Sequence, residues 1–430
     1  MGGLPGMTAP AAPSAGAPGD GLRNAVILLI GLRLVLLMAL PSEAVFEYGD
    51  VIYHYNLAAW SVPGQCPAGP AACLPLLDFW YEYPPVFPYL SVGLLQILGG
   101  GAVPAFHTYA YGLSLVLLLA DVGNLILLHG LAGRLHGTAT ANWVAWVYAL
   151  LPAPLILGWW TFEGLTTLFI LLALWAILTR RDTLGGVAIG LGVLTKFVPL
   201  LLLPLVWSAR PARRALAITA LTVGVVVVGV APFLLRSPAL ALASLGAQPA
   251  KSSYATIWAM LDGNLRTEDG MPITGTFGPL LDRHVAERAF DQLHHPARVP
   301  GWLTLGVTAL IGGGLWLAAR RRYAGGWDDG RLVTLLALTF AIFLLWSKGW
   351  SPQWQHWLVP LILLTRPDRE GLLLALTLAA VSFLEWPVLL SRGFAWGYWI
   401  TIPLRTVLFA AWAADLARRM LRPQPLATAA

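Results

Sequence analysis

Apolar residues along this chain collect into long runs with short polar breaks between them. The runs fall near 23–40, 86–101, 105–131, 139–157, 160–179, 184–208, 214–236, 299–319, 332–347, 353–366, 370–388 and 398–420. Leu168 to Leu178 and Ala217 to Leu235 are examples that hold almost nothing polar. A helix that crosses a bilayer needs about 20 residues at ~1.5 Å each, so several runs are short or lean on flanking aromatics. The pattern predicts an all-α polytopic membrane protein, a bundle of about 10–13 transmembrane helices. Two larger loops, 41–84 and 237–298, interrupt the runs.

Composition agrees with the pattern. Of 430 residues 57% are apolar and 11% are charged, against about 25% charged in an average soluble chain. So little charge cannot cover a soluble surface of this size. A soluble enzyme, a disordered chain, a nucleic-acid binder and a disulfide-stapled secreted domain are thereby excluded. The net charge of +6 is no nucleic-acid signal, because the arginines sit in short clusters between apolar runs. Residues 1–22, rich in Gly, Ala and Pro, read as a disordered cytoplasmic tail. They lack the positively charged start of a signal peptide. Residues 23–422 read as one transmembrane domain, and 423–430 as a second cytoplasmic tail.

Charge fixes the orientation. Arg180-Arg181, Arg210 with Arg213-Arg214, Arg320 to Arg322, Arg366 with Arg369, and Arg418-Arg419 with Arg422 mark the cytoplasmic side. From Arg33 to Arg134 there is no Lys or Arg, while Glu43, Glu47, Asp50, Asp78, Glu82 and Asp121 fall in that stretch. Loop 41–84, and with it loop 237–298, is therefore expected outside. Two places break simple alternation. The region 84–134 has one apolar segment too many, so one of them does not span. The run 184–208 has arginines at both ends and Lys196 with Pro199 in its middle, which predicts two half-helices meeting inside the membrane.

Ionisable and amide groups next to apolar runs cost free energy to bury and are functional candidates. Asp50 follows Glu47-Tyr48-Gly49 and precedes Tyr53, His54, Tyr55 and Asn56. A carboxylate at that interface suits a general base on a hydroxyl substrate, or is an ordinary solvated loop acid. Trp80-Tyr81-Glu82-Tyr83-Pro84-Pro85 leads into the next run, where proline and aromatics are also normal capping and anchoring. Lys196 beside a helix break offers a phosphate site at membrane depth, the alternative being a lysine that snorkels to the interface. The segment Trp346-Ser347-Lys348-Gly349-Trp350-Ser351-Pro352-Gln353-Trp354-Gln355-His356-Trp357 mixes amides, cations and rings. That mixture fits a sugar or phosphate, and an aromatic belt leaves Lys348, Gln353 and His356 unexplained. Glu163 stands at a helix start, either functional or simply complementing the helix dipole. No Walker lysine loop, His-Glu-x-x-His or Gly-x-Ser-x-Gly occurs, so nucleotide hydrolysis, zinc proteolysis and hydrolase-type acyl transfer lack their residues. Cys66 and Cys73 can pair in an oxidising compartment.

An Asp after the first span, Tyr-Pro-Pro opening the next, a lone mid-membrane Lys-x-x-Pro and a later Ser-Pro-Gln-aromatic run resemble integral-membrane glycosyltransferases of the GT-C type. The nearest resemblance is to glycosyltransferase family 87, the polyprenyl-phosphate-mannose-dependent mannosyltransferases. The mannosyltransferase of glycosylphosphatidylinositol synthesis is similar at greater distance. The resemblance covers residues 24–420 as architecture and four short motifs in detail. It implies that a sugar, mannose above all, moves with inversion from a polyprenyl-phosphate donor to a hydroxyl of a lipid or glycan acceptor. The reaction would run on the outer face of a bacterial-type plasma membrane. Asp50 would be the catalytic base. Lys196, Gln353, His356 and Lys348 would contact donor phosphate or sugar. Glu82 and Tyr83 would line the acceptor side, and Tyr53, His54 and Glu163 are expected to contact the acceptor or line the site. The first loop has Glu47-x-x-Asp50 in place of a tight Asp-x-Asp, and Glu163 stands where related chains often have Asp. No cofactor follows from these residues, and the wide acidic spacing leaves a divalent metal open but weakly supported. Membrane lipids are expected as partners and nucleic acid is not. A lipid-sugar flippase and a surface-polysaccharide polymerase or ligase are the rival readings.

Overall fold

The computed structural model describes residues 20–39, 50–159, 161–242, 253–263, 299–323, 326–389, 392 and 394–421. Glu47 and most of loop 237–298 lie outside the described residues. In chain order the helices are α1 (Asp20–Ala39), α2 (Val51–Ala59), α3 (Val86–Gly99), α4 (Phe106–His136) and α5 (Thr138–Leu150). There follow α6 (Glu163–Leu178), α7 (Asp182–Thr195), α8 (Leu203–Ala209), α9 (Ala212–Arg236) and α10 (Ile257–Asp262). The last five are α11 (Gly301–Arg322), α12 (Asp329–Trp346), α13 (Gln355–Thr365), α14 (Arg369–Phe383) and α15 (Tyr398–Leu421). Among the described residues extended pairing is limited to two isolated bridges. The protein is an all-α polytopic membrane protein.

Six helices, α1, α4, α9, α11, α12 and α15, are long and apolar enough to cross a membrane. α5 bends by 48° into Pro152–Trp159, and the two together are long and apolar enough for a seventh; Pro152 and Pro154 remove helix donors at the bend. The other apolar runs form shorter elements. The most central is α13, every residue of which is buried. A helix apolar on all sides belongs in the middle of a bundle, and α13 packs against α4, α5, α6, α12 and α14.

Polar cross-links gather the basic helix ends on one face. Arg134 Nε donates to Asp329 Oδ2 at 2.5 Å, and His136 is 2.8 Å from the Leu364 carbonyl. Arg366 makes a two-point contact with Asp415 at 3.1 and 2.8 Å, and Tyr323 reaches the Met420 carbonyl at 2.5 Å. This is the arginine face, and α2, α3 and the loops near them make the opposite, loop face.

The two irregularities of the charge pattern have structural explanations. α3 does not cross. Its first turn places Phe87 4.7 Å from the His54 ring, and its last turn places Gln96 Nε2 3.1 Å from the Ser61 carbonyl. Both ends therefore touch the segment 54–61, and α3 lies along the loop face on α2. At ~21 Å its 14 residues are also too few for a span. α4 then crosses alone and brings Arg134 to the arginine face. The run 184–208 is a re-entrant hairpin. Arg210 Nε binds Asp182 Oδ1 at 2.8 Å, so the start of α7 and the end of α8 meet at the arginine face. α7 ends where Lys196 turns extended (φ −160°, ψ 146°), and Val198–Leu202 returns as 3₁₀ helix. Gly192 permits the close return: a Cβ there would lie 2.8 Å from the Pro199 ring and 3.0 Å from Phe169. Lys196 is the tip of the hairpin. The cysteines Cys66 and Cys73 are bonded to each other and tie the loop that follows α2.

Candidate functional site

Around that tip the structure assembles residues from five parts of the chain. Lys196 Nζ pairs with Glu163 Oε1, and the two side chains are 12% and 1% exposed. Trp357 Nε1 donates to the other Glu163 oxygen at 3.2 Å. The ammonium also lies over three rings, Tyr83 at 5.5 Å, Phe162 at 5.6 Å and Trp354 at 5.7 Å from their centroids. Each contact is of the cation–π kind. One charged nitrogen thus faces a carboxylate on one side and an aromatic wall on the others.

Loop-face residues add negative charge. Burial pushes the Tyr83 phenol well above its ordinary range, and the fields of Glu82, Asp50 and Glu163 push it further. Tyr254, beyond α9, is raised by burial too. Glu82, Asp50 and Glu163 add to that shift and Lys196 opposes it. Glu82, Asp50 and Glu163 thus act electrostatically on both tyrosines. Asp50 is the N-cap residue of α2, yet its side chain makes no capping bond to that helix. His54, one turn on, accepts from or donates to Tyr81 OH at 2.7 Å. Burial first, and then Lys196, lowers its pKa to about 3, so it is neutral at physiological pH. Tyr53 sits beside it, raised by burial and then by Glu82 and Asp50. Among the described residues no three His, Cys, Asp or Glu side chains converge as a metal site.

Three residues expected on the donor side are placed differently. Gln353 is buried and its Oε1 accepts from Ser351, closing the turn before α13. Lys348 acts through its backbone: its carbonyl accepts from Tyr254 N–H at 2.9 Å and from Thr256 Oγ1 at 3.0 Å. Burial lowers the Lys348 pKa, and the opposing charge is Asp262, not a member of the cluster. His356 is fully buried with Nδ1 3.7 Å from Asp121 Oδ1. Successive helical residues diverge by ~100°, so Trp354 and Trp357 share the Lys196 side while His356 turns away.

His356 thereby reveals a second ionic layer. Arg33 of α1 and Asp121 of α4 form an ion pair at 3.0 Å, 1% and 0% exposed. Asn124 Nδ2 donates to Asp121 at 3.3 Å and to the Gly164 carbonyl at 2.8 Å. A Cβ on Gly164 would lie 2.8 Å from Asp121 Oδ1, so the glycine lets the start of α6 rest on that carboxylate. The layer holds the turn that carries Glu163. Its sequence signals were Arg33 inside the first apolar run and Asp121 with Asn124 at i, i+3. Tyr254 had no local signal, since it comes from a long loop of mixed composition.

The polytopic helical bundle thus holds one buried lysine paired with a carboxylate beside three aromatic rings. No family model matches the chain, and no curated protein matches it. Solved structures give distant likenesses. The apo oligosaccharyltransferase of Archaeoglobus fulgidus is 13% identical over 94% of this chain and 55% of that chain, with a TM-score of 0.46. The same enzyme tethered to an acceptor peptide containing the NVT sequon gives 12% identity, 94% and 54% coverage, and 0.39. ArnT from Cupriavidus metallidurans in the apo state gives 14% identity, 94% and 78% coverage, and 0.36. The chain spans about half the length of the oligosaccharyltransferase it matches.

Proposed function

We propose that the protein is a GT-C-type membrane glycosyltransferase that takes a sugar, mannose in the first instance, from a polyprenyl-phosphate donor. The observation behind this reading is the Lys196 ammonium at the tip of a re-entrant hairpin, paired with Glu163 and lying over the rings of Tyr83, Phe162 and Trp354. A sugar phosphoester already has a good leaving group. What the site has to supply is orientation, a base for the acceptor proton and a cation for the departing phosphate.

In the proposed step the acceptor oxygen attacks the anomeric carbon from the face opposite the phosphate, and the C1–O phosphate bond breaks. The acceptor proton goes to Asp50, and the polyprenyl phosphate leaves toward Lys196. Inversion follows from the single displacement. Tyr83 and Trp354 offer flat apolar faces to a pyranose ring, and Glu82 and Tyr53 lie on the acceptor side. His54, kept neutral by burial, adds no competing cation near the base. The acceptor would be a lipid or glycan hydroxyl on the outer face, opposite the arginine face. No step is routed through a metal.

A lipid-sugar flippase would also need a polar centre at membrane depth. Membranes containing the protein, given labelled polyprenyl-phosphate-mannose and a lipid extract, separate the two. A transferase makes a new labelled product that depends on Lys196 and Asp50. Changed accessibility of an unaltered donor, with no new product from any lipid-linked sugar, would overturn the proposal.

A further inference from the structure

A second feature lies between the return arm of the hairpin and the arginine face. α8, α11 and α12 enclose a cavity of about 460 Å³, lined by Pro204, Trp207, Gly312, Trp316, Leu338 and Ile342 among others. That is the size of a ligand pocket, roughly 300–1,000 Å³. Its few polar wall groups are already engaged. Thr308 and Thr339 donate back to the Thr304 and Leu335 carbonyls at 2.9 and 2.8 Å. Trp316 Nε1 donates to Ser208 Oγ at 2.8 Å, and Trp207 Nε1 to Thr219 Oγ1 at 3.2 Å. The walls therefore offer an occupant apolar contact and no hydrogen-bond donor.

Depth narrows the occupant. On α11 the lining runs from Thr308 to Trp316, which places it ~6–18 Å from Arg320 at ~1.5 Å per residue. On α12 it runs from Leu335 to Ile342, ~9–20 Å from Asp329. The cavity thus lies mostly in the arginine-face half of a ~30 Å hydrocarbon core and reaches just past its middle.

Charge selects the headgroup. The acids at this end are engaged: Asp182 by Arg210, Asp328 by Arg331, Asp329 by Arg134, and Asp415 by Arg366 and Arg419. Arg320, Arg321 and Arg322 are exposed and make no ion pair among the described residues, as do Arg213 and Arg214 after α8. Arg320 is stacked 5.2 Å over Trp316, which itself lines the cavity. An acyl-sized slot therefore ends at a tryptophan and a group of uncompensated guanidinium groups. Basic pockets between helices on the cytoplasmic side bind anionic lipid headgroups in this way.

We infer that the α8–α11–α12 cleft binds an anionic phospholipid of the arginine-face leaflet, one acyl chain in the slot and its phosphate on Arg320–Arg322. The inference does not depend on the glycosyltransferase reading. The full chain is purified in detergent with equimolar phosphatidylglycerol and phosphatidylcholine of identical chains, and the retained lipid is counted by native mass spectrometry. Wild type should keep phosphatidylglycerol roughly tenfold over phosphatidylcholine, the scale of one to two arginine contacts at ~1 kcal/mol each. Arg320→Gln/Arg321→Gln/Arg322→Gln should bring that ratio close to one. Gly312→Phe should expel both lipids, while Gly306→Phe, on the same helix outside the lining, should expel neither. Both glycines face open space, so the added rings meet no neighbour at Cβ. Soluble glycerol phosphate should not displace the lipid. Equal retention in wild type, an unchanged ratio in the arginine variant, retention in Gly312→Phe, or displacement by glycerol phosphate would each overturn it.

Discussion

The Lys196–Glu163 pair allows a quantitative test, because its two ends have unequal alternative partners. Losing one partner of a buried pair costs about 3–5 kcal/mol, since the other charge is left uncompensated. Lys196→Met leaves the Glu163 carboxylate, 1% exposed, with the Trp357 N–H at 3.2 Å. One neutral donor cannot replace an ammonium, so a loss of about 3 kcal/mol is expected, the low end because Lys196 is 12% exposed. Glu163→Gln leaves the ammonium among Tyr83, Phe162 and Trp354 at 5.5–5.7 Å. Cation–π contacts near their ~6 Å limit, worth about 0.5–1 kcal/mol each, offset part of the loss, so about 2 kcal/mol is expected. The double variant leaves no buried charge and should recover most of both. Reversible unfolding in mixed micelles across the four proteins gives the coupling, expected at about 4 kcal/mol with a double variant that loses about 1 kcal/mol. Lys196→Met should be the worse single variant, and the stable double variant should still fail to transfer sugar. Additivity within about 0.5 kcal/mol, or a larger loss in Glu163→Gln, would refute the assignment of partners.

Three further outcomes are expected. Asp50→Asn should still bind donor and lose transfer by about 10²- to 10⁴-fold, the usual effect of removing a general base; near wild-type turnover in a radiolabel assay would move the base elsewhere. His54 is held down to about 3 from an ordinary 6.5 by burial and Lys196, so below pH 6.5 the unfolded chain binds a proton that the folded chain refuses. Stability is therefore lost as pH falls through that window, by about 2 kcal/mol between pH 7 and pH 5. His54→Phe should flatten that slope, and an unchanged slope would show that another group titrates. Ala71→Cys, on the exposed part of the loop face, should label in intact cells while Arg213→Cys labels only after permeabilisation; the reverse pattern would invert the topology.

The apolar runs made the helical class legible, and a lysine with a following proline marked the hairpin tip at Lys196. Glu82, Tyr83 and Glu163 were legible for the same reason, as charge or aromatic density against a membrane run. What the sequence could not show was which apolar segment stays on the surface. α3 is as apolar as a crossing helix, and only its contacts at both ends with 54–61 reveal its course. Placement within the 346–357 motif was equally hidden. Neighbours in sequence turn through a 3₁₀ start into α13, which sends Trp354 and Trp357 to Lys196 and His356 to Asp121.

That division of one motif between two ionic layers bears on the choice between transferase and flippase. A carrier must let its polar centre face both sides in turn, which requires the elements around it to move apart as bodies. Here the centre is tied from beneath. Arg33 on α1, Asp121 and Asn124 on α4, and the Gly164 turn of α6 are joined by hydrogen bonds of 2.8–3.3 Å, with His356 of α13 packed alongside. Three helices that would have to separate are thus locked by groups whose exposure to lipid would cost several kcal/mol each. The hairpin tip lies beside Tyr83 of the loop face. A centre floored by a buried ion pair that would have to be broken for alternating access suits group transfer.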